Sequence, residues 1–190
     1  MTLLTVWADD APDEVLLRST DGEEIAAELK ELGVRFERWP LVDLPAEPTC
    51  DEVLEAYSDQ VQRVVDTEGY VLVDAMSMIP EGTPEWAEKA AVAREKFLSE
   101  HTHDDDEDRF FARGAGVFYL HVGDRVYAVL CEAGDLISVP AHTTHWFDMG
   151  TRPDYVSVRF FHDEDGWVGN FTGSRLADSF PDFDTLIASK

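Results

Sequence analysis

A mainly β protein with flanking helices is what this chain predicts, and three observations carry that expectation. From about residue 98 onward, short runs rich in Val, Phe, Tyr and Leu alternate with Gly, Asp and Pro, the spacing of a sandwich or small barrel. The first half instead alternates strand-like and helix-like segments, so residues 1–98 read as an α/β segment. No repeat, low-complexity linker or clear boundary separates the two. Residues 1–190 are therefore expected to form a single domain, with 1–98 packed on a barrel core of 99–165 and 166–190 closing it. A length of 190 residues, 44% hydrophobic content and five Trp suit one well-buried core.

The elements follow in order. Residues 3–7 are a short apolar strand. Asp21, with Glu24 three positions on, has the form of a capping box, and Ile25, Leu29 and Leu32 share one face of the helix it opens. Gly33 stops that helix where a left-handed residue is favoured, and 34–39 is a strand. Thr49 and Glu52 repeat the capping pattern. Leu54, Tyr57, Val61, Val64 and Val65 then make one apolar stripe down to about Thr67, with Gly69 as the stop. Residues 70–75 are a strand, and Thr83-Pro84-Glu85 opens a third helix with Pro in its favoured first position. Its inward face is Trp86, Ala90, Ala93 and Phe97. Strands are expected at 109–113, 117–122, 125–130, 136–139, 144–147 and 156–161, with Val122-Gly123-Asp124-Arg125 as a tight hairpin turn. Residues 174–190 read as a short closing helix and a tail.

Composition narrows the function classes. The formal net charge of −25 argues against nucleic acid or an anionic membrane as partner, since both demand cationic surface. No apolar run approaches the roughly 20 residues of a membrane span. The first ten residues lack the basic start and apolar stretch of a secretory signal, so the cytoplasm is the expected compartment. Cys50 and Cys131 sit in unlike contexts, which argues against a disulfide framework, and neither has a neighbouring Cys to make a zinc knuckle. Only Lys30, Lys89, Lys96 and Lys190 are lysines. An acid-rich, Lys-poor surface is what a salty cytoplasm would select, though solubility alone explains much of it.

Metal-binding residue types recur at an informative spacing. His101-Thr102-His103-Asp104-Asp105-Asp106-Glu107 is followed by Gly114, and Gly134-Asp135-Leu136-Ile137-Ser138-Val139-Pro140 leads to His145. Alternate residues of a strand share a face, so His101 and His103 can offer both imidazoles to one ion. Glu107 can approach from the next turn or strand, and His145 from across the barrel. Three nitrogens and one oxygen suit a divalent first-row transition metal. Two histidines two apart also arise by chance, and the acids of 104–108 are by default a solvated loop. Specificity lies in the combination: His-x-His-x3-Glu-x6-Gly with Gly-x5-Pro-x4-His is the two-part pattern of the cupin superfamily. Three positions depart from the general pattern. Glu95 stands for its leading Gly, Met149 for its final Asn, and His142 for the Gly of its Pro-x-Gly turn. His142 is either a left-handed substitute, a role in which His is enriched, or a competing ligand.

Longer segments sharpen the likeness. Residues 139–150, Val-Pro-Ala-His-Thr-Thr-His-Trp-Phe-Asp-Met-Gly, resemble the acireductone dioxygenase family of cupins. So do Glu95-Lys96-Phe97-Leu98-Ser99-Glu100-His101-Thr102-His103, residues 114–121, residues 33–39 and Glu164-Asp165-Gly166-Trp167-Val168, so the resemblance covers nearly the whole chain. It implies a cupin barrel (double-stranded β-helix, or jelly roll) and one Fe(II) or Ni(II) held by His101, His103, Glu107 and His145. It also implies methionine salvage, with O2 and the acireductone 1,2-dihydroxy-3-keto-5-methylthiopentene as small-molecule substrates. With Fe(II) the family's products are formate and 4-methylthio-2-oxobutanoate; with Ni(II) they are carbon monoxide, formate and 3-(methylthio)propanoate.

Arg109, two residues past Glu107, would face the same side of a strand and could stabilise a substrate anion, or it could pair with Asp106 or Asp108. The resemblance favours catalysis for Arg109 and implies supporting roles for Glu100 in metal incorporation and Asp106 in relaying local conformational change. Phe97, Phe147 and Trp167 are candidates for an apolar wall around the methylthio end, or for plain core. Arg159 is a second candidate anion partner. His121 and His162 have no ligand spacing. The chain is expected to act as a cytoplasmic monomer. The rival readings are a different metal-dependent cupin enzyme with the same four ligands, and a non-catalytic cupin that binds a small molecule.

Overall fold

Strands from both halves of the chain interleave in two antiparallel sheets, and the computed structural model describes residues 1–164 and 166–190 of them. Asp165, part of the last motif quoted above, lies outside the described residues. Strand β1 (Leu3–Ala8) is followed by β2 (Ala11–Ser19), which pairs with it along the sheet edge. The side chains of Asp13, Glu14, Val15 and Leu16 are all exposed, so β2 carries no alternating pattern to announce it. Helix α1 (Gly22–Glu31) starts on Asp21, whose carboxylate accepts from the N–H groups of Glu23 and Glu24. Glu24 does not reach back to close the box, because its carboxylate accepts instead from Ser19 Oγ. Gly33, at φ 76°, ends the helix ahead of β3 (Arg35–Arg38).

The stripe expected as one helix is two, α2 (Cys50–Ala56) and α3 (Ser58–Glu68). Thr49 and Glu52 cap the first reciprocally, as their spacing predicts. Tyr57 breaks the run at φ −107°, ψ 17°. Its ring meets Phe110 edge-on at 4.7 Å, and its hydroxyl accepts from the Val42 N–H. After β4 (Leu72–Met78) comes α4 (Pro84–Leu98), capped by the Thr83 hydroxyl, with Trp86, Ala90, Ala93 and Phe97 turned to the core. The barrel strands are β5 (His101–Thr102), β6 (Glu107–Val122), β7 (Arg125–Glu132), β8 (Asp135–Val139), β9 (Thr144–Asp148), β10 (Tyr155–Phe161) and β11 (Asn170–Phe171). A 3₁₀ turn (Leu176–Ser179) and α5 (Phe183–Ala188) complete the chain.

Strand β6 belongs to both sheets. Its first half lies between β8 and β10 in the order β3-β8-β6-β10-β4, and its second half between β7 and β9 in the order β2-β1-β7-β6-β9-β5-β11. The two strands expected at 109–113 and 117–122 are thus one, bent at Gly114. That residue has φ 70°, and a Cβ there would lie 1.8 Å from the Asp154 carbonyl oxygen, so only Gly permits the bend. The first half of the chain does more than pack on the barrel: β1, β3 and β4 are hydrogen-bonded to β7, β8 and β10. Between the sheets, Phe111, Phe118, Leu120, Val129, Ile137 and Tyr155 are buried almost completely, each contributing about 1.5–3 kcal/mol by leaving water. Cys50 and Cys131 are free thiols, the second fully buried.

Candidate metal centre

One end of the barrel gathers four buried ligands. His101 on β5 sits in register opposite His145 on β9, His103 follows just past β5, and Glu107 opens β6. One donor atom from each lies within 4.8 Å of the others. The Oε2 of Glu107 is 3.1 Å from Nε2 of both His103 and His145. The imidazole rings stand 4.5–5.2 Å apart, centre to centre.

What aims these rings is the main chain. The Nδ1 atoms of His101, His103 and His145 lie 2.6, 2.9 and 2.7 Å from the carbonyl oxygens of Ser99, Val168 and Thr143. A carbonyl can only accept, so each Nδ1 carries a proton and each Nε2 is turned to the centre, where those of His103 and His145 meet Glu107 and where all three would ligate a metal once free of any proton. Burial, helped by the neighbouring His145, pushes His101 down to about 4, which keeps it neutral and ready to ligate. Burial alone would raise Glu107, but the Arg109 guanidinium and the hydrogen bonds from His103 and His145 hold it well below the usual carboxylate range. Burial would likewise lower His103, yet its contact with anionic Glu107 pushes it up. A fixed carboxylate and three aimed imidazoles form a metal-binding group whose nitrogen and oxygen donors suit a divalent first-row transition metal.

His142 is not among the ligands. At φ 64° it is the only non-glycine residue of positive φ among the described residues, and its exposed ring lies 3.5 Å from Asp104. The left-handed reading of this turn is the correct one.

Arg109 shares the buried floor with the ligands. One of its Nη atoms donates to Glu107 Oε1 at 2.8 Å, so its partner is the ligand itself and neither Asp106 nor Asp108. Asp108 is taken by Arg35 instead. The guanidinium carbon lies 4.6, 5.4 and 5.5 Å from the ring centres of Phe147, Phe118 and Trp167. Its Nε and other Nη are buried without a hydrogen-bond partner among the described residues. Gly116 makes the room, since a Cβ there would come within 2.4 Å of the Phe147 ring.

Above this floor opens a cavity of about 420 Å³, lined by His101, His103, Glu107 and Arg109 and walled by Phe97, Phe147, Trp167, Phe161, Phe171 and Leu72. Phe97, Phe147 and Trp167 thus face one cavity. Trp167 is pinned by its indole N–H to the Asp106 carbonyl at 3.0 Å. Arg159 also lines the cavity, but two of its donors are committed to Asp74 at 2.8 and 2.6 Å. Glu100 and Asp106 do not line it. The buried Glu100 carboxylate accepts from Thr172 and faces His121, while Asp106 accepts from the Ala141 N–H. His162 pairs with Asp105. Phe171, Phe161, Leu72 and Asp74 are lining residues that no ligand spacing or motif marks, while Lys96 and Glu164 fall inside segments that carry the resemblance without being singled out there.

A jelly-roll barrel with three histidines and one glutamate buried at the base of an aromatic cavity defines a metal-dependent cupin enzyme. Comparison with known proteins refines this class. The ARD/ARD′ family model matches residues 4–169. The chain is 63% identical over 190 residues, the whole of both chains, to an acireductone dioxygenase of Saccharopolyspora erythraea. It is 57% identical over 187 residues to one of Frankia alni, covering 98% of this chain and 91% of that one. A solved acireductone dioxygenase from Bacillus anthracis, with a cadmium ion in its active centre, superposes with a TM-score of 0.75 at 29% identity, covering 90% of this chain and 98% of that one. The chain belongs to the acireductone dioxygenase family, and so is a metal-dependent dioxygenase.

Proposed function

We propose that the chain oxidises 1,2-dihydroxy-3-keto-5-methylthiopentene with O2 in methionine salvage, using one Fe(II) or Ni(II) held by His101, His103, Glu107 and His145. The observation that carries this reading is the pair of unpartnered Arg109 donors buried beside four converging ligands on the floor of an aromatic cavity. When bound, the ion supplies Lewis acidity and a template for the substrate oxygens. The chain's own groups do the rest. Arg109 offers its two free donors to the enediolate, favouring loss of the substrate's protons next to a low-dielectric wall. Its third contact, to Glu107, fixes both the guanidinium and the ligand.

Phe97, Phe147 and Trp167 exclude water and take the methylthio end. Arg159, held by Asp74, is a second donor to the substrate's oxygens in the same wall. Glu100, buried one residue before His101 and tied to Thr172, supports a part in seating the metal. Asp106 joins the Ala141 N–H to the Trp167 indole, which supports a part in relaying movement between those segments. Among the described residues no helix is long and apolar enough to cross a membrane, and the same reading has the chain act as a cytoplasmic monomer.

The test is oxygen uptake with freshly generated acireductone on iron-loaded, nickel-loaded and metal-stripped protein. Metal-dependent uptake is expected, with formate and 4-methylthio-2-oxobutanoate from the iron form and carbon monoxide, formate and 3-(methylthio)propanoate from the nickel form. Binding without uptake in any form would instead mark a small-molecule-binding cupin.

A further inference from the structure

We infer that Lys96, at the mouth of the cavity, is the cation that draws the anionic substrate in; this rests on the acireductone reading above. The difficulty it answers is one of charge. A chain of formal charge −25 repels an anion at long range, and an enediol conjugated to a ketone is acidic enough to arrive as an anion at neutral pH. Three cations line the cavity, and two are already neutralised: Arg109 by Glu107 at 2.8 Å and Arg159 by Asp74 at 2.6 Å. Lys96 is the third. It makes no ion pair or side-chain hydrogen bond with any described residue and is exposed to solvent. Among the described residues the only other lining charge without such a partner is the exposed Glu164, so Lys96 supplies the free positive charge of the wall. It also precedes Phe97, whose ring faces Phe147 at 6.3 Å inside the cavity, so an anion held at Lys96 has its apolar end beside the aromatic wall.

A competing explanation is local. Lys96 lies in the last turn of α4, where a cation offsets the carbonyl dipoles. That role would change stability and leave the salt dependence of turnover alone.

The experiment compares kcat/KM of iron-loaded wild type, Lys96→Gln, Lys96→Glu and Lys96→Arg between about 0.1 M and about 1 M KCl, which shortens the screening length from about 10 to about 3 Å. At the low-salt end, Lys96→Gln is expected to lose about three-fold and Lys96→Glu about ten-fold, with Lys96→Arg near wild type. At the high-salt end the losses should shrink to less than about two-fold. Lys89→Gln, on the same helix and outside the cavity, removes the same charge and should lose less than Lys96→Gln. An unchanged kcat/KM in Lys96→Gln at low salt, a loss that persists at high salt, or an equal loss in Lys89→Gln each overturns the role while the dioxygenase reading stands. Wild-type protein that fails to turn over acireductone overturns both.

Discussion

Arg109 does two things that a lysine could not combine. Its planar fork spends one donor on Glu107, keeps two for a ligand, and lies 4.6 Å from the centre of the Phe147 ring. Arg109→Ala should therefore keep stoichiometric metal while losing about 10²-fold or more in kcat, the size of effect seen when a buried donor to a developing anion is removed. Normal turnover in that variant would refute its electrostatic role. His101→Ala or Glu107→Ala should lose both metal and activity, as read by metal analysis of the purified variants. The pair His101 and His103 became informative only in combination with the second motif, which supplies His145; strand alternation does not relate the two, since β5 ends at Thr102. The partner of Arg109 was not legible. Sequence proximity offers Asp106 and Asp108 equally, and only the register of β6 against β8 turns Glu107 inward and leaves Asp108 to Arg35.

At the scale of elements, local rules worked where side chain and backbone answer to the same neighbours. The caps at Asp21, Thr49 and Thr83 and the stop at Gly33 are where their residue types place them. The failures have long-range causes. Tyr57 fits an apolar stripe, yet its backbone leaves the helix to bring its ring against Phe110 and its hydroxyl to Val42. Strand β2 forms through main-chain bonds to β1 with its middle side chains in water, so no hydrophobic period exists to read.

One element also carries a pH prediction. Asp182 caps α5, and its bond from Thr185, aided by Arg94, holds it below the usual range. Burial would raise Glu132, but its bond from the N-terminus and its pairing with Lys190 hold it down. Both folded values lie below the unfolded ones, so their stabilisation is complete above about pH 4–5 and is lost as pH falls through the depressed values. Hydrogen exchange should show α5 amides opening below about pH 4 while the strands flanking β6 stay protected. Simultaneous loss in both regions would contradict this.

Across the whole molecule, acids outnumber bases 40 to 15, and the fold lives with the resulting self-repulsion. Screening should relieve it, so the thermal midpoint is expected to rise between about 0.1 M and about 1 M KCl. A flat or falling response would show that the acidic surface serves solubility alone. The mainly β architecture was legible from strand spacing, whereas the interleaving of both halves was not, because pairings such as β1 with β7 join residues far apart in sequence. One feature of the centre reaches furthest. Its three imidazoles are oriented by the carbonyls of Ser99, Val168 and Thr143, groups that every amino acid possesses. Drift in the identity of those three positions can therefore leave the ligand geometry untouched, and tuning such a site by design would mean reshaping loops instead of swapping side chains. The carbonyl of Val168 immediately follows Trp167 in the chain, so any reshaping of that wall for bulkier substrates would also tilt His103.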